Sequence, residues 1–280
     1  MRNTLKPRWL TEMIAVWGYV QRNYYLTKRY FMWEIVWLVY VTANAMAITF
    51  IGKGLGTVKG AEGIDTGYVM TFLLVGALIW SYLSMLFDVL SETVSWERWE
   101  GTIEYTFMSP SSRATHLLGM GLYAVLYGIV QVAIMLGVVS FFFELDLSQA
   151  NYWGALLVLA VASVSLVGFG IMAAVLPLLS PEKGQQVSYI VSSLLLLVSG
   201  VYYEVDVLPG WMQTIAKISP VTYALNGARD ALLDGAGITQ LWSSIATLLV
   251  MGVVFVPLGL LVFRVGESYA KRTGKLKRSG

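Results

Sequence analysis

Acidic and basic residues are bunched along this chain, leaving six long stretches that carry none: residues 35–52, 66–87, 114–143, 147–181, 184–203 and 235–263. Crossing about 30 Å of hydrocarbon as a helix takes about 20 residues, so each stretch is long enough for one crossing. None alternates with period two. In lipid every backbone amide must bond within its own segment, so such runs read as helices rather than as strands. The fourth is too short for two helices and a turn, and Pro177 and Pro181 stop it. The pattern predicts spans over 31–52, 67–90, 115–143, 152–177, 185–203 and 239–264, within a single transmembrane domain over 1–280.

Three polar segments interrupt or precede these runs. In residues 4–29, Trp9, Leu10, Met13, Ile14, Trp17, Val20 and Tyr24 recur at the spacing of one helical face, with Arg8, Glu12, Arg22 and Arg29 on the other side. Such a helix lies in the membrane interface or packs as a soluble helix on a partner. The segment 91–113 is an amphipathic island. Trp96, Trp99, Ile103 and Phe107 fall at steps of three or four, opposite Glu97, Arg98, Glu100 and Glu104. Gly101-Thr102 weakens its interior, Ser109-Pro110-Ser111 ends it and Arg113 opens the next span. Either a short helix lying flat under the membrane or a solvated loop meets this pattern. In 204–234, Val207, Leu208, Trp211, Met212, Ile215 and Ile218 repeat at helical spacing before Ser219-Pro220, and Tyr223, Leu225, Ala228 and Leu232 continue it. Two short helices are expected, either dipping into the outer leaflet or lying on the surface.

Composition changes the picture in one direction. The chain is 57% hydrophobic and 13% charged, about half the charge of a soluble domain, so it is an integral membrane protein. A net charge of +2 gives no ground for nucleic-acid binding. With no cysteine and one histidine, His116, disulfides, thiolate metal sites, multi-histidine metal sites and cysteine nucleophiles are excluded. No clustered mid-membrane acids supply a catalytic set for an intramembrane enzyme. The N-terminal stretch has no signal-peptide pattern. With both termini in the cytosol, Lys53, Lys59, Lys217 and Arg229 alone among the 19 basic residues fall outside. That bias fixes the orientation and places the island in the cytosol. No Walker A loop is present, and the glycines at 52, 54, 56 and 60 read as an outer turn. Any ATP is bound by another polypeptide.

Glu97-Arg98-Trp99-Glu100-Gly101-Thr102-Ile103-Glu104, with Met108-Ser109-Pro110 and Arg113 following, resembles the signature "E-R-E-x-G-T-L-E … S-P/T-P-x-x-R" of ABC-2 type exporter permeases. The resemblance continues at Ser199-Gly200-Val201-Tyr202-Tyr203, Leu208-Pro209-Gly210-Trp211-Met212, Ser219-Pro220-Val221-Thr222-Tyr223-Ala224 and Arg229. Trp99 stands at a usually charged position, and Val205 or Asp206 where a proline is common. The resemblance implies an all-α membrane protein of six spans, sited in the cytoplasmic membrane. It would be a homodimer or a paired permease, each copy docked on a separate ABC ATPase that holds ATP and Mg, with no cofactor or metal in this chain. It assigns residues 4–29 to a connecting helix and the island to the coupling helix, with Glu97, Arg98, Gly101, Thr102, Glu104, Pro110 and Arg113 as the ATPase-coupling residues. Residues 204–234 become a re-entrant outer gate, marked by Gly200, Pro209, Trp211, Pro220, Tyr223 and Arg229. The cargo implied is amphipathic or lipid-linked: a drug or antibiotic, a glycolipid or a polysaccharide.

A few positions lie outside that scheme. Asp88 and Glu92, one helical turn apart at the inner end of the second span, fit a proton or ion site or a wet inner vestibule. The first option would make the chain a proton-coupled secondary transporter, although the inverted repeat of such proteins is not evident. Glu34 is expected to pair with Arg29 or Lys28, and His116 to be a surface group at the headgroups. Pro257 is expected to kink the last span. Trp80, Tyr82 and Tyr189 either line a substrate path or belong to the aromatic belt.

Overall fold

The computed structural model describes residues 8–55, 63, 65–143, 149–180 and 183–274. Residues 4–7, Gly56, Lys59, Gly60, Pro181 and the cations beyond Gly274, all used in the sequence reading, lie outside the described residues. The elements are helical: α1 Arg8–Arg29, α2 Phe31–Leu55, α3 Thr66–Trp99, α4 Ile103–Met108, α5 Arg113–Phe142, α6 Tyr152–Ala173, α7 Val175–Leu179, α8 Gly184–Val198, α9 Gly210–Ala216, α10 Pro220–Leu232 and α11 Ile238–Arg272. A single 3₁₀ turn, Val205–Val207, precedes α9. Among the described residues, five stretches are long and apolar enough to cross a membrane: α2, α3, α5, α6 with α7, and α11.

The helices divide by how much apolar surface they bury. The apolar windows of α3 and of α6 with α7 are 61% and 56% buried, against 22% for each of α2, α5 and α11; α3, the most enclosed, is the central post. Leu74, Leu83, Leu86, Phe87 and Leu90 are closed off on nearly every side of it. The outer helices leave Val39, Leu126, Ile129, Val130, Val250, Val253 and Leu261 exposed. Apolar faces of that extent are stable only against hydrocarbon or another protein, and no aqueous surface would carry them.

Close helix contact is achieved with small residues, as is usual where lipid supplies no hydrophobic drive between helices. On α11, Gly252, Gly259 and Gly266 recur every seven positions along the seam with α6 and α7. A Cβ on Gly259 would stand 2.5 Å from the Gly168 carbonyl oxygen, and one on Gly266 2.6 Å from Val175. Within this seam Ser165 donates to the Leu248 carbonyl at 2.6 Å.

Several boundaries differ from the sequence expectation: α3 runs past 90 to Trp99 and α11 past 264 to Arg272. The fourth span breaks at Ala174, and Pro177 sits three residues further on, inside α7. A proline ring clashes with the carbonyl four residues earlier, here Ala173, so the helix yields upstream of the proline rather than at it. Pro257 lies inside α11, which continues on both sides of it as one element. The fifth charge-free run helps to form α8, but this helix stops at Val198, five residues short of the expected end. Gly200 then turns with φ +74°, a conformation open mainly to glycine.

Between α8 and α11, the two short helices expected on either side of Ser219-Pro220 are present. Pro220 occupies the first helical position of α10, where its missing N–H costs nothing. Val221, Ala224, Leu225, Ala228 and Ala231 turn one face of α10 into the core. Trp211, Ile215 and Ile218 of the preceding segment stay exposed.

Candidate coupling site

The island begins as the end of α3. After Trp99 the backbone closes with Glu100 N–H on Trp96 O, Gly101 N–H on Arg98 O and Thr102 N–H on Glu97 O at 2.8 Å. Gly101 adopts φ +73°, which lets the chain reverse out of the helix. The short helix α4 follows, anchored by Ile103, which is buried against Leu90, Val94 and Leu117. Ser112 then caps α5 by accepting from Thr115 N–H at 3.1 Å. The sequence reading thus places the break correctly, and the element after it is only six residues long.

Glu97 is the hub. Its Oε1 accepts from Arg22 Nη1 at 2.9 Å and from Thr106 Oγ1 at 3.0 Å, and lies 3.0 Å from His116 Nε2. Four elements meet there: α1, α3, α4 and α5. Arg22 reaches further, to Thr102 Oγ1 at 3.1 Å and Glu100 Oε2 at 3.5 Å. Glu12 bonds the Thr115 hydroxyl and accepts from Ser112 N–H at 3.4 Å, while Tyr19 Oη shares a hydrogen bond with Ser111 Oγ at 2.8 Å. With Glu97 and His116 each only 3% exposed at the side chain, the bonds act in a low-dielectric setting where hydrogen bonds to charged groups are strongest.

This geometry corrects several sequence expectations. Glu97 does not offer its charge outward; it is consumed inside the joint. His116 is buried against Tyr19 and Glu97 rather than lying at the surface. Glu12 and Arg22 face the island and α5, not water. Glu34 accepts from Tyr127 Oη at 2.5 Å, not from Arg29 or Lys28. Arg22, Thr106 and His116 escaped sequence reading because their importance lies in what packs against them, and spacing within one helix carries no such signal.

The other island residues divide between clamp and surface. Arg113 donates to the Thr106 and Phe107 carbonyls at 2.6 and 2.5 Å, covers the Phe107 ring and reaches Glu267 of α11 at 3.3 Å. Lys271 also pairs with Glu267, at 2.7 Å. Arg98 turns inward and donates to the Leu178 carbonyl of α7 at 3.3 Å. Glu104, Tyr105, Met108 and Pro110 are exposed. Beside them a cleft of about 380 Å³ lies between Thr11, Glu12, Ala15 and Tyr19 of α1 and the turn Ser109–Ser111.

The gate residues gather at the opposite end. Arg229 donates to the carbonyls of Gly200 and Val201 at 2.8 and 2.5 Å, with its guanidinium 3.6 Å from the Phe72 ring centroid. Burial pushes its pKa down to about 10, so it stays charged at neutral pH. Ser199 and Ser219 share a hydrogen bond at 2.8 Å, and Tyr223 Oη donates to the Lys217 carbonyl at 3.1 Å. Pro209 caps α9, and Trp211 is exposed. Of the suggested path residues, Tyr82 is buried with its hydroxyl 2.6 Å from Ser163 Oγ, Trp80 packs on the core and Tyr189 is half exposed. Asp88 and Glu92 lie about three and two turns before the end of α3, because the helix continues past the expected span into the island.

Apolar faces this large, with two polar clamps at opposite ends, define a helical multi-pass membrane protein whose ends are each locked to its central post. Residues 15–233 match the family model for the ABC-2 type transporter, and the chain belongs to that family. It is 25% identical over 58% of its length to the probable multidrug ABC transporter permease YbhR of Escherichia coli, covering 44% of that protein. It is 24% identical over 74% of its length to the linearmycin resistance permease protein LnrN of Bacillus subtilis, covering 51%. It is also 29% identical over 56% of its length to the daunorubicin resistance ABC transporter permease protein DrrB1 of Streptomyces coeruleorubidus, covering 54%. The chain thus spans about half the length of the curated relatives it matches.

Proposed function

We propose that this chain is the membrane permease subunit of an ATP-driven ABC exporter, working as a homodimer or paired permease with a separate ATPase chain that holds ATP and Mg. It moves an amphipathic or lipid-linked substrate outward across the cytoplasmic membrane by alternating access. The observation that carries the reading is the joint around Glu97. It ties α1, α3, α4 and α5 into one unit while leaving Glu104, Tyr105, Met108 and Pro110 exposed beside a cleft. A push on α4 therefore reaches the central post directly. In this reading both termini and the island are cytosolic, as the distribution of basic residues requires. The helix α8 is the sixth span. At 15 residues it covers about 22 Å of its path as helix, and α9 and α10 dip back from the outer face as the gate.

The relatives named for multidrug, linearmycin and daunorubicin resistance favour a drug or antibiotic as cargo over a glycolipid or polysaccharide. Two of them are named as permeases of ABC transporters, which favours ATP-driven transport over a proton-coupled mechanism through Asp88 and Glu92. Glu104→Arg tests the reading in proteoliposomes containing the permease and a co-expressed cognate ATPase. The expected result is ATP hydrolysis that continues while transport falls at least about tenfold, a loss of about 1.4 kcal/mol in coupling. Unchanged transport would overturn it.

A further inference from the structure

The exposed side of α1 is not needed by the joint. Trp9, Met13, Ile14, Trp17, Tyr24 and Tyr25 are each more than half exposed, and the aromatic surface continues into α2 through Phe31 and Trp33. Lys28 follows Tyr24 by four residues, so it emerges from the middle of this face, and Arg29 lies at its edge. Both are exposed, and neither forms an ion pair among the described residues. The acids of the region are turned away: Glu12 to Ser112 and Thr115, Glu34 to Tyr127. The result is an aromatic face bearing only positive charge. Aromatic rings settle at headgroup depth, where lysine and arginine reach the phosphates.

We propose that α1 binds anionic phospholipid, with Trp17 and Tyr24 seated among the headgroups and Lys28 and Arg29 on the lipid phosphates. The choice of the cytosolic leaflet rests on the orientation proposed above; the binding itself does not require an ATPase. Because the same helix carries Glu12, Tyr19 and Arg22 to the island, the charge of that leaflet bears on how firmly the coupling site is held.

The chain has no cysteine, so Tyr25→Cys supplies a unique thiol beside Lys28 for a bimane label. The full chain, without ATPase, is placed in nanodiscs of phosphatidylcholine containing rising fractions of phosphatidylglycerol, and shielding of the label from acrylamide is followed. Phosphatidylglycerol is expected to protect the label. The fraction needed for half-maximal protection should rise about fivefold for each of Lys28→Gln and Arg29→Gln, while a label at Trp211→Cys, at the opposite end, does not respond. Equal quenching with and without phosphatidylglycerol would overturn the proposal, as would a response that survives in the double variant. Protection that appears only on adding ATPase would assign the face to protein instead. Loss of coupling in Glu104→Arg with lipid protection intact, or the reverse, separates this inference from the transport reading.

Discussion

Three arginines in this protein sit on the backbone carbonyls that close a helix: Arg113 at the end of α4, Arg98 at the end of α7 and Arg229 just past α8. At the ends of α4 and α7 such carbonyls have run out of donors from their own helix and a cation meets the negative end of the helix dipole, while Arg229 holds the Gly200 and Val201 carbonyls of the turn beyond α8. The planar guanidinium bridges two carbonyls in a rigid fork, whereas a lysine ammonium is a compact point charge on a flexible stem. Arg229→Ala should therefore cost about 1.5–3 kcal/mol in hydrogen bonds from a charged donor, and Arg229→Lys most of that. Hydrogen exchange should rise at residues 199–209 in both variants while the island end stays protected; equal protection would show that the clamp does not hold this turn. Glu97 is the corresponding acid. Glu97→Leu leaves the buried His116 and Thr106 without their partner and removes the shortest bond of Arg22, and should cost about 3 kcal/mol, read as lost thermal stability and as faster exchange along α1. A neutral effect would mean that the joint is not what fixes α1. The sequence marked Glu97 as important but not which way it points. Its partners at 22 and 116 come from other helices, and only packing brings them together.

At the level of elements, the legible features were those set by covalent chemistry. Gly101 ends α3 because no other residue so readily takes φ +73°, and Pro220 starts α10 because its ring suits the first helical turn. A feature that escaped depends on a neighbour: α8 stops early at Val198, and Arg229 of α10 holds the turn beyond it through the Gly200 and Val201 carbonyls. Gly101→Ala tests the first group. It should cost about 1–2 kcal/mol through the left-handed conformation and should reduce coupled transport without removing the permease from the membrane. A fully coupled alanine variant would mean that the turn is not a fixed part of the lever.

For the whole molecule, the two clamped ends meet on one post. The helix α3 carries Glu97 and Arg98 at one end, and near the other it supplies Phe72 and Gly76, against which Arg229 and the Val201 carbonyl pack. A Cβ at Gly76 would lie 2.1 Å from that carbonyl oxygen, so the post and the Gly200 turn are in tight contact. In the proposed coupling, this buried helix is the element that would carry movement of the island to the opposite end. Five of the six expected spans, and the island between two of them, were readable from where charge is absent. The central position of α3 was not, because its sequence is no more apolar than that of its neighbours.

The most direct test of this account is site-directed cross-linking in the complex with a co-expressed cognate ABC ATPase. The cysteine-free chain receives a single cysteine at Tyr105, 78% exposed on α4, or at Trp211, 63% exposed at the opposite end, and each is armed with a thiol-attached photo-cross-linker. Irradiation should join Tyr105→Cys to the ATPase and leave Trp211→Cys unjoined. A cross-link from Trp211→Cys, or none from Tyr105→Cys in an intact complex, would contradict the assignment of α4 as the surface through which ATP hydrolysis drives the bundle.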